Sequence, residues 1–321
     1  MGFTTKSRSI SVRKRSPADL HRVLARAEES GVAAQIVTAG SLAEVDEAAS
    51  FQGPGLFCTA GCHPTRASEV EAFNGGSQAY MDALAERIAA HKSKVVAVGE
   101  CGLDYDRLHF APADVQRRVF DAQLTLAERL HLPLFLHSRA AHSDLVAILA
   151  PRLAALRRAL SVPETANEHS PGSVGVVHSF TGTKEEASEL VGLGLFIGVN
   201  GCSLKSEENL DVVRSIPIER LMIETGTLLL TDAPWCDIRP THASAAVLAA
   251  ARNANPGSPT YERAKPEKWR ADAMVKGRNE PCAIIDVALV VSQLKGVTLA
   301  ELAEHTFNNT QKLFNLDLYN K

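Results

Sequence analysis

Apolar residues in this chain fall into two alternating patterns. Short continuous runs are separated by longer stretches in which apolar positions recur every three or four residues. The runs Ala34–Thr38, Leu56–Thr59, Val95–Val98, Leu134–Leu136, Val174–Val177, Leu195–Val199 and Leu221–Ile223 predict seven strands. Stretches such as Asp114–Leu130 and Lys184–Leu193 predict the helices between them. Strands without a polar face are buried on both sides, so the alternation predicts a parallel sheet covered by helices. Ser16 and Pro17 suit a first helix start, with Leu20, Val23, Leu24 and Ala27 on one face and Gly31 past its end. A second helix is expected near Ser41, and residues 162–173 and 253–268 read as loops. A doubly wound sheet and a (β/α)8 barrel both satisfy this pattern. No Gly-x-Gly-x-x-Gly follows the first run, which argues against a dinucleotide fold.

The residues that end the strands carry the chemistry. Phe57–Cys62 runs into His63, Val95–Gly99 into Glu100, Leu134–Leu136 into His137, Gly175–Val177 into His178 and Leu221–Ile223 into Glu224. In a parallel sheet these ends share one side, which in a barrel is the face where catalytic groups collect. Three histidines and two carboxylates are therefore expected to converge. A single histidine at a strand end is ordinarily a hydrogen-bonded rim residue. Five such ends in one chain ask for a common partner, because a buried carboxylate is costly without positive charge beside it. A divalent cation serves all of them: Zn, Mn, Co or Fe through imidazole and carboxylate, Mg through the acids.

Composition adds limits. The 321 residues are 45% hydrophobic and 22% charged, an ordinary globular balance. The net charge of -3 excludes holding nucleic acid through bulk positive charge, so a bound phosphate would need local neutralisation. The 6 cysteines include no Cys-x-x-Cys pair, which fits a reduced intracellular compartment: nucleus or cytoplasm, with the mitochondrion open. Cys58 and Cys62 beside His63 permit a zinc site but suit core positions better. Residues 1–16 carry Lys6, Arg8, Arg13, Lys14 and Arg15 and no acid. They read as a basic, disordered tail, with a transit peptide, a nuclear address or a nucleic-acid arm as alternatives, and residues 17–321 as one domain. No run approaches the ~20 apolar residues of a membrane span, so no membrane is expected, and the sequence identifies no protein partner.

Several longer motifs go further. Val98-Gly99-Glu100-Cys101-Gly102-Leu103-Asp104, Leu136-His137-Ser138-Arg139, Val177-His178-Ser179-Phe180-Thr181-Gly182-Thr183, Asp232-Ala233-Pro234 and Arg278-Asn279-Glu280-Pro281 resemble the TatD-type metal-dependent deoxyribonucleases, from about Pro17 to Leu316. Gly61-Cys62-His63-Pro64-Thr65, Gly201-Cys202-Ser203-Leu204-Lys205 and Asp232–Cys236 are most similar to eukaryotic members. The resemblance implies an α/β (β/α)8 TIM barrel of the amidohydrolase-like metal-dependent hydrolase type. It implies hydrolysis of DNA phosphodiesters, in 3'-5' exonuclease or endonuclease mode, with two divalent ions, Mg or Mn, or Zn. By position, Glu100, His137, His178 and Asp232 match the family's metal ligands, with Glu100 bridging and Asp232 orienting the attacking water. Glu100, Asp232 and His63 would be catalytic, with His63 facing the phosphate. Arg139 is the expected phosphate fork, and Arg278 a further substrate contact.

The chain departs from the family's pattern twice. The first barrel strand is missing, since residues 7–15 are basic and hold only Ile10 and Val12 as apolar positions. Gly226–Thr231 interrupts a Glu-Thr-Asp-Ala-Pro motif that the family reads without a break. An open barrel with two unpaired edges follows. Leu221–Thr225 is the expected last strand, with Thr227–Thr231 as the alternative. Another amidohydrolase-type hydrolase, or a barrel impaired by these changes, are the competing functions.

Overall fold

The structure is a computed structural model that describes residues 20–53, 55–163, 172–225 and 236–316. The basic tail, Ser16, Pro17, Gly226–Thr231 and Asp232 lie outside the described residues. Seven strands form one sheet: β1 Gln35–Val37, β2 Leu56–Ala60, β3 Val95–Asp104, β4 Leu134–Arg139, β5 Gly175–Val177, β6 Phe196–Val199 and β7 Leu221–Ile223. All neighbours pair in parallel, and the spatial order is the sequence order. A doubly wound sheet reverses its order at a switch point. Here there is no reversal, so the barrel type of winding is the one realised.

Helices α1 Leu20–Glu29, α2 Leu42–Ser50, α3 Ala67–Glu71, α4 Gly76–Ala90, α5 Ala113–Leu130, α6 His142–Leu149, α7 Leu153–Ala159, α8 Lys184–Gly192, α9 Glu207–Ser215, α10 Ser244–Ala254, α11 Ile284–Lys295 and α12 Leu299–Phe314 connect and follow the strands. Gly31 takes a positive φ after α1, and Ser41 caps α2 by accepting from Glu44 N, as expected. The stretch 253–268 is not all loop. It holds the end of α10 and a two-residue strand, β8 Arg263–Ala264, paired with β9 Met274–Val275. Arg263 is tied to Asp237 there, a long-range ion pair that leaves no periodic trace in the sequence. No single described helix is long and apolar enough to cross a membrane.

The two faces of the sheet have different partners. Val37, Cys58, Val98, Leu134, Leu136, Val177, Ile197 and Val199 pack outward against the helices. Ile36, Phe57, Phe135, Val176, Phe196 and Met222 form an inner floor with Leu313, Phe314 and Leu316 from the end of α12. Each large apolar side chain fixed in such a floor contributes roughly 1.5–3 kcal/mol, so the floor sets the register firmly. Side chains in a strand alternate faces with period two. Two residues beyond each floor residue therefore lie Thr38, Thr59, His137, His178, Gly198 and Glu224, on the same inner side. This is the physical reason that apolar runs ending in His or Glu mark one site.

Among the described residues β1 and β7 each have a single neighbour. Both edges line one cavity of about 1160 Å³, through Gln35 and Ile36 on one side and Met222 and Ile223 on the other. An unpaired edge leaves backbone groups without partners. The α12 helix supplies some: Asn309 Nδ2 donates to Leu221 O at 2.8 Å and to Ile218 O at 2.9 Å.

Candidate metal centre at the strand ends

Glu100 owes its position to a bulge. The β3–β4 register slips between Gly99 and Cys101, which leaves Glu100 as the extra residue, and its N–H donates to Ala39 O at 3.0 Å. Such a bulge re-aims one side chain out of the regular alternation. Gly99 makes it possible, with φ 148° and space for no side chain, since a Cβ would lie 2.2 Å from Phe135 O. Three rings then meet one oxygen. Glu100 Oε1 accepts from His137 Nδ1 at 2.8 Å and from His178 Nε2 at 2.6 Å, with His63 Nε2 at 3.4 Å. The ligand-type atoms of Glu100, His137 and His178 lie within 4.8 Å of one another, inside the ~6 Å expected of residues sharing an ion.

Each ring is held from behind. His63 precedes the 3-10 turn Pro64–Arg66, and its Nδ1 accepts from Thr65 N at 3.2 Å and sits 2.7 Å from Thr65 Oγ1. That assigns the Nε2–H tautomer, with the donor facing the mouth. His178 stacks on Phe135 with centroids 4.7 Å apart, and its Nδ1 is 3.3 Å from Glu224 Oε2. Glu224 also accepts from Ser179 N at 2.9 Å, over Gly198, where a Cβ would sit 1.9 Å from Glu224 Oε1. Leu221–Ile223 is thus the last strand among the described residues, and Glu224 stays at the site, while the alternative strand Thr227–Thr231 lies outside them.

Three further residues position the site without ending an apolar run in the sequence. Asp104, fully buried at the end of β3, lies 3.4 Å from His137 Nε2 and accepts from Arg107 Nη1 at 2.9 Å. With His63 and His137 it makes a second group able to hold an ion. Gln116 and Gln123 stand two turns apart on α5 and are buried. Gln123 accepts from Cys62 N at 2.7 Å and donates to Cys62 O at 3.1 Å, clamping the residue before His63. Gln116 accepts from Asp104 N at 2.8 Å and donates to Asp104 O at 3.0 Å and Ala111 O at 2.9 Å. The available signal was two amides on the apolar face of an amphipathic helix.

The cluster is strongly polarised. Burial pushes the Glu100 carboxyl up, but the charges of His178 and His63 and the hydrogen bonds from His137 and His178 hold it well below the usual carboxylate range. Burial pushes His178 down, yet Glu100 and Glu224 raise it to about 10. For His137, burial is likewise overcome, by hydrogen bonding to Asp104 and Glu100. Asp104 is lowered: burial opposes the shift, and His137 and Arg107 outweigh it. A set of imidazoles this strongly attracted to buried carboxylates fits a site whose natural partner is a cation. Asp104 Oδ1 is buried without a hydrogen-bond partner among the described residues, which suits the same conclusion.

The remaining expected residues divide. Arg139 lines the cavity at the end of β4. Arg278 does not. It donates to Glu280 Oε1 at 2.6 Å, and Glu280 accepts from Arg26 Nε at 2.8 Å. All 6 cysteines are buried thiols, and none joins a metal-type group among the described residues.

Comparison with known proteins agrees with this geometry. The sequence model of the TatD related DNase family matches residues 11–315. The chain belongs to that family. It is 41% identical over 92% of its length, and 88% of the relative's, to a protein of Schizosaccharomyces pombe named deoxyribonuclease Tat-D. It is 34% identical to the 3'-5' ssDNA/RNA exonuclease TatD of Erwinia tasmaniensis, over 93% of this chain and 94% of that one. Among solved structures, an amidohydrolase from Saccharomyces cerevisiae superposes with TM-score 0.77 at 33% identity, covering 94% of both chains. A TatD family hydrolase from Entamoeba histolytica gives TM-score 0.74 at 34% identity, over 92% of this chain and 89% of that one.

Proposed function

We propose that this member of the TatD related DNase family is a divalent-metal-dependent deoxyribonuclease that hydrolyses phosphodiester bonds of DNA. The observation that carries the reading is the meeting of His137, His178 and His63 on one bulged, buried carboxylate oxygen of Glu100. Glu100, His137 and His178 would hold the metal, with Asp232 as a fourth ligand. Two ions, Mg or Mn, would suit the carboxylates, and Zn would suit the imidazoles. Bound there, such ions supply a water made nucleophilic at neutral pH and a counter-charge for the phosphate oxygens.

The chain's own residues do the rest. Glu100 stays ionised and fixes the imidazoles through its Oε1. Thr65 holds His63 so that its Nε2–H points at the mouth, where it can donate to a phosphate oxygen. Arg139 adds a planar donor pair for the same group. Asp104 orients His137 from the far side of the ring, as outer partners of ligating histidines do. Incubating the protein with end-labelled DNA and Mg or Mn, with chelator as control, tests the reading. Metal-dependent products are expected, stepwise shortening marking an exonuclease and internal fragments an endonuclease. No cleavage with any of these ions would overturn it.

A further inference from the structure

Two thiols stand in the wall of the cavity that holds the histidine cluster, and hydrolysis gives them no task. Cys202 and Cys236 both line that cavity, and their sulfurs are 3.3 Å apart. The other cysteines, Cys58, Cys62, Cys101 and Cys282, are not part of the lining among the described residues. Cys202 sits in the 3-10 turn Gly201–Leu204 that follows β6. Cys236 lies 34 residues further on, beyond Gly226–Thr231 and Asp232.

The backbone fixes this meeting from both sides. Asn200 Oδ1 accepts from Cys202 N at 2.8 Å, and Asn200 Nδ2 donates to Ser179 Oγ at 2.9 Å, so the turn is anchored to the residue after His178. Gly201 lies directly against Cys236, where a Cβ would sit 2.0 Å from Cys236 O. Ala243 N donates to Lys205 O at 2.9 Å, which ties the chain beyond Cys236 to the end of the same turn. The two sulfurs are thus held at a distance that a small side-chain rotation closes to the ~2.05 Å of a disulfide.

Buried cysteines are ordinarily small apolar fillers. This pair is polarised instead. The hydrogen bond from the Cys236 thiol lowers Cys202; burial opposes the shift, and Lys205 and Arg139 add to it. The same bond raises Cys236, with burial acting in the same direction. In Cys58, Cys62, Cys101 and Cys282 burial pushes the thiol up. Since the thiolate is the nucleophile, Cys202 is the reactive sulfur, and its neighbour keeps a proton to give.

We infer that Cys202 and Cys236 are a reversible, peroxide-driven disulfide site that fastens the chain after the insertion to the end of β6. The Cys202 thiolate attacks one oxygen of hydrogen peroxide and the O–O bond breaks. Hydroxide leaves, takes up the proton that Cys202 released, and Cys202 is left as a sulfenic acid. The Cys236 sulfur then attacks the Cys202 sulfur, the S–O bond breaks, and the departing oxygen leaves as water with the Cys236 proton. Two electrons pass from the thiols to the peroxide, and a small thiol returns them by exchange. The closed loop contains α9, β7 and Gly226–Thr231, so the bond draws in the side of the sheet that ends at β7.

The full chain, reduced and then freed of reductant, is treated with a few equivalents of hydrogen peroxide, unfolded, alkylated and digested without reductant for mass spectrometry. The intact mass should fall by about 2 Da, the signature of one new disulfide, and dithiothreitol should restore it. Cys202 and Cys236 should appear in one linked peptide pair, with the other four cysteines alkylated. The oxidised chain should melt about 5 °C above the reduced one, because the bond restricts the unfolded state. In Cys236→Ser, Cys202 should stop at the sulfenic acid and be trapped by dimedone. In Cys202→Ser, Cys236 should stay a thiol. The linked peptide is read on the unsubstituted protein, so a variant that folds poorly does not decide the matter. No linked pair, a different pair, or faster oxidation of any of the other four cysteines would overturn the site. Dimedone trapped on Cys236 in Cys202→Ser as fast as on Cys202 in Cys236→Ser would overturn the assigned order of attack. Equal melting of the two forms would overturn the fastening.

Discussion

The two halves of the barrel mouth are built on different terms. On the side of β2 to β5, every site residue sits at the end of a paired strand and is held by a second contact. Glu100 is set by a bulge, His63 by Thr65, and His178 by Phe135 and Glu224. On the side of β7 and β1, two edges that are unpaired among the described residues face a shared cavity. There the remaining expected ligand, Asp232, follows Gly226–Thr231 in sequence, outside the described residues. A ligand carried by a paired strand is held by the neighbours of that strand. A ligand carried by the chain after the last strand depends on how that edge is closed.

The comparison is broken most severely at Glu100. Glu100→Gln keeps the shape and removes the charge that gathers three rings. DNase rate and metal affinity, read by product formation and titration calorimetry, should fall by more than about 100-fold, the upper range for removing even an outer partner. A variant retaining either would mean that the ion does not bind on the side of β2 to β5. Deleting Gly226–Thr231 probes the other half. If Asp232 now sits about 1 Å from its working place, restoring the uninterrupted motif should raise the rate by up to about 10²-fold. An unchanged rate in a version with its first strand restored would make the insertion a harmless loop.

Much of the site was legible in the chain, because floor and site residues lie two apart on one strand. Phe135 and His137, Val176 and His178, and Met222 and Glu224 announce themselves as an apolar run with a polar end. Glu100 reads the same way for a different reason, since its bulge breaks that alternation and no periodicity signals a bulge. The same break hid the length of β3, and with it Asp104 as a strand-end residue. Arg278 donates to Glu280, which also binds Arg26, 254 residues distant from Glu280. Pairings at such separations leave no local trace.

Gly198→Ala sharpens the contrast where the halves meet. Its Cβ would displace Glu224, which supports His178 from the open side. A loss of about 10–100-fold in metal affinity is expected, as for other outer partners, with Glu224→Gln giving a similar loss. If Gly198→Ala binds metal normally, Glu224 is a bystander. Smaller still is Gln123→Ala. It leaves the buried Cys62 N–H unsatisfied, at about 1–3 kcal/mol of stability, and should raise KM through a loosened His63 more than it lowers kcat. Thermal melts and steady-state kinetics read both.

The metal-free cluster has its own pH signature. His178 is raised to about 10 in the folded chain, so the stability it contributes is complete below the ordinary histidine value, ~6.5, and is lost as pH rises toward 10. Glu100 is depressed, so its contribution is present above the ordinary carboxylate value, ~4.3, and is lost in acid below it. Metal-free protein should therefore be most stable between about pH 4.3 and 6.5 and soften in alkali, while Mn-loaded protein should not soften there. Identical alkaline melting with and without Mn would contradict the assignment of His178 as a ligand.

The central claim is that Glu100, His137 and His178 bind a divalent ion in this chain as it stands, with seven strands described and its insertion in place. Equilibrium dialysis against Mn, with bound metal counted by elemental analysis, measures it without reference to DNA. The account predicts stoichiometric metal in the full chain at neutral pH, falling away as pH drops and the imidazoles hold their protons, and near-complete loss in Glu100→Gln and His178→Ala. Metal bound equally by both variants, or no metal bound by the full chain, would contradict it.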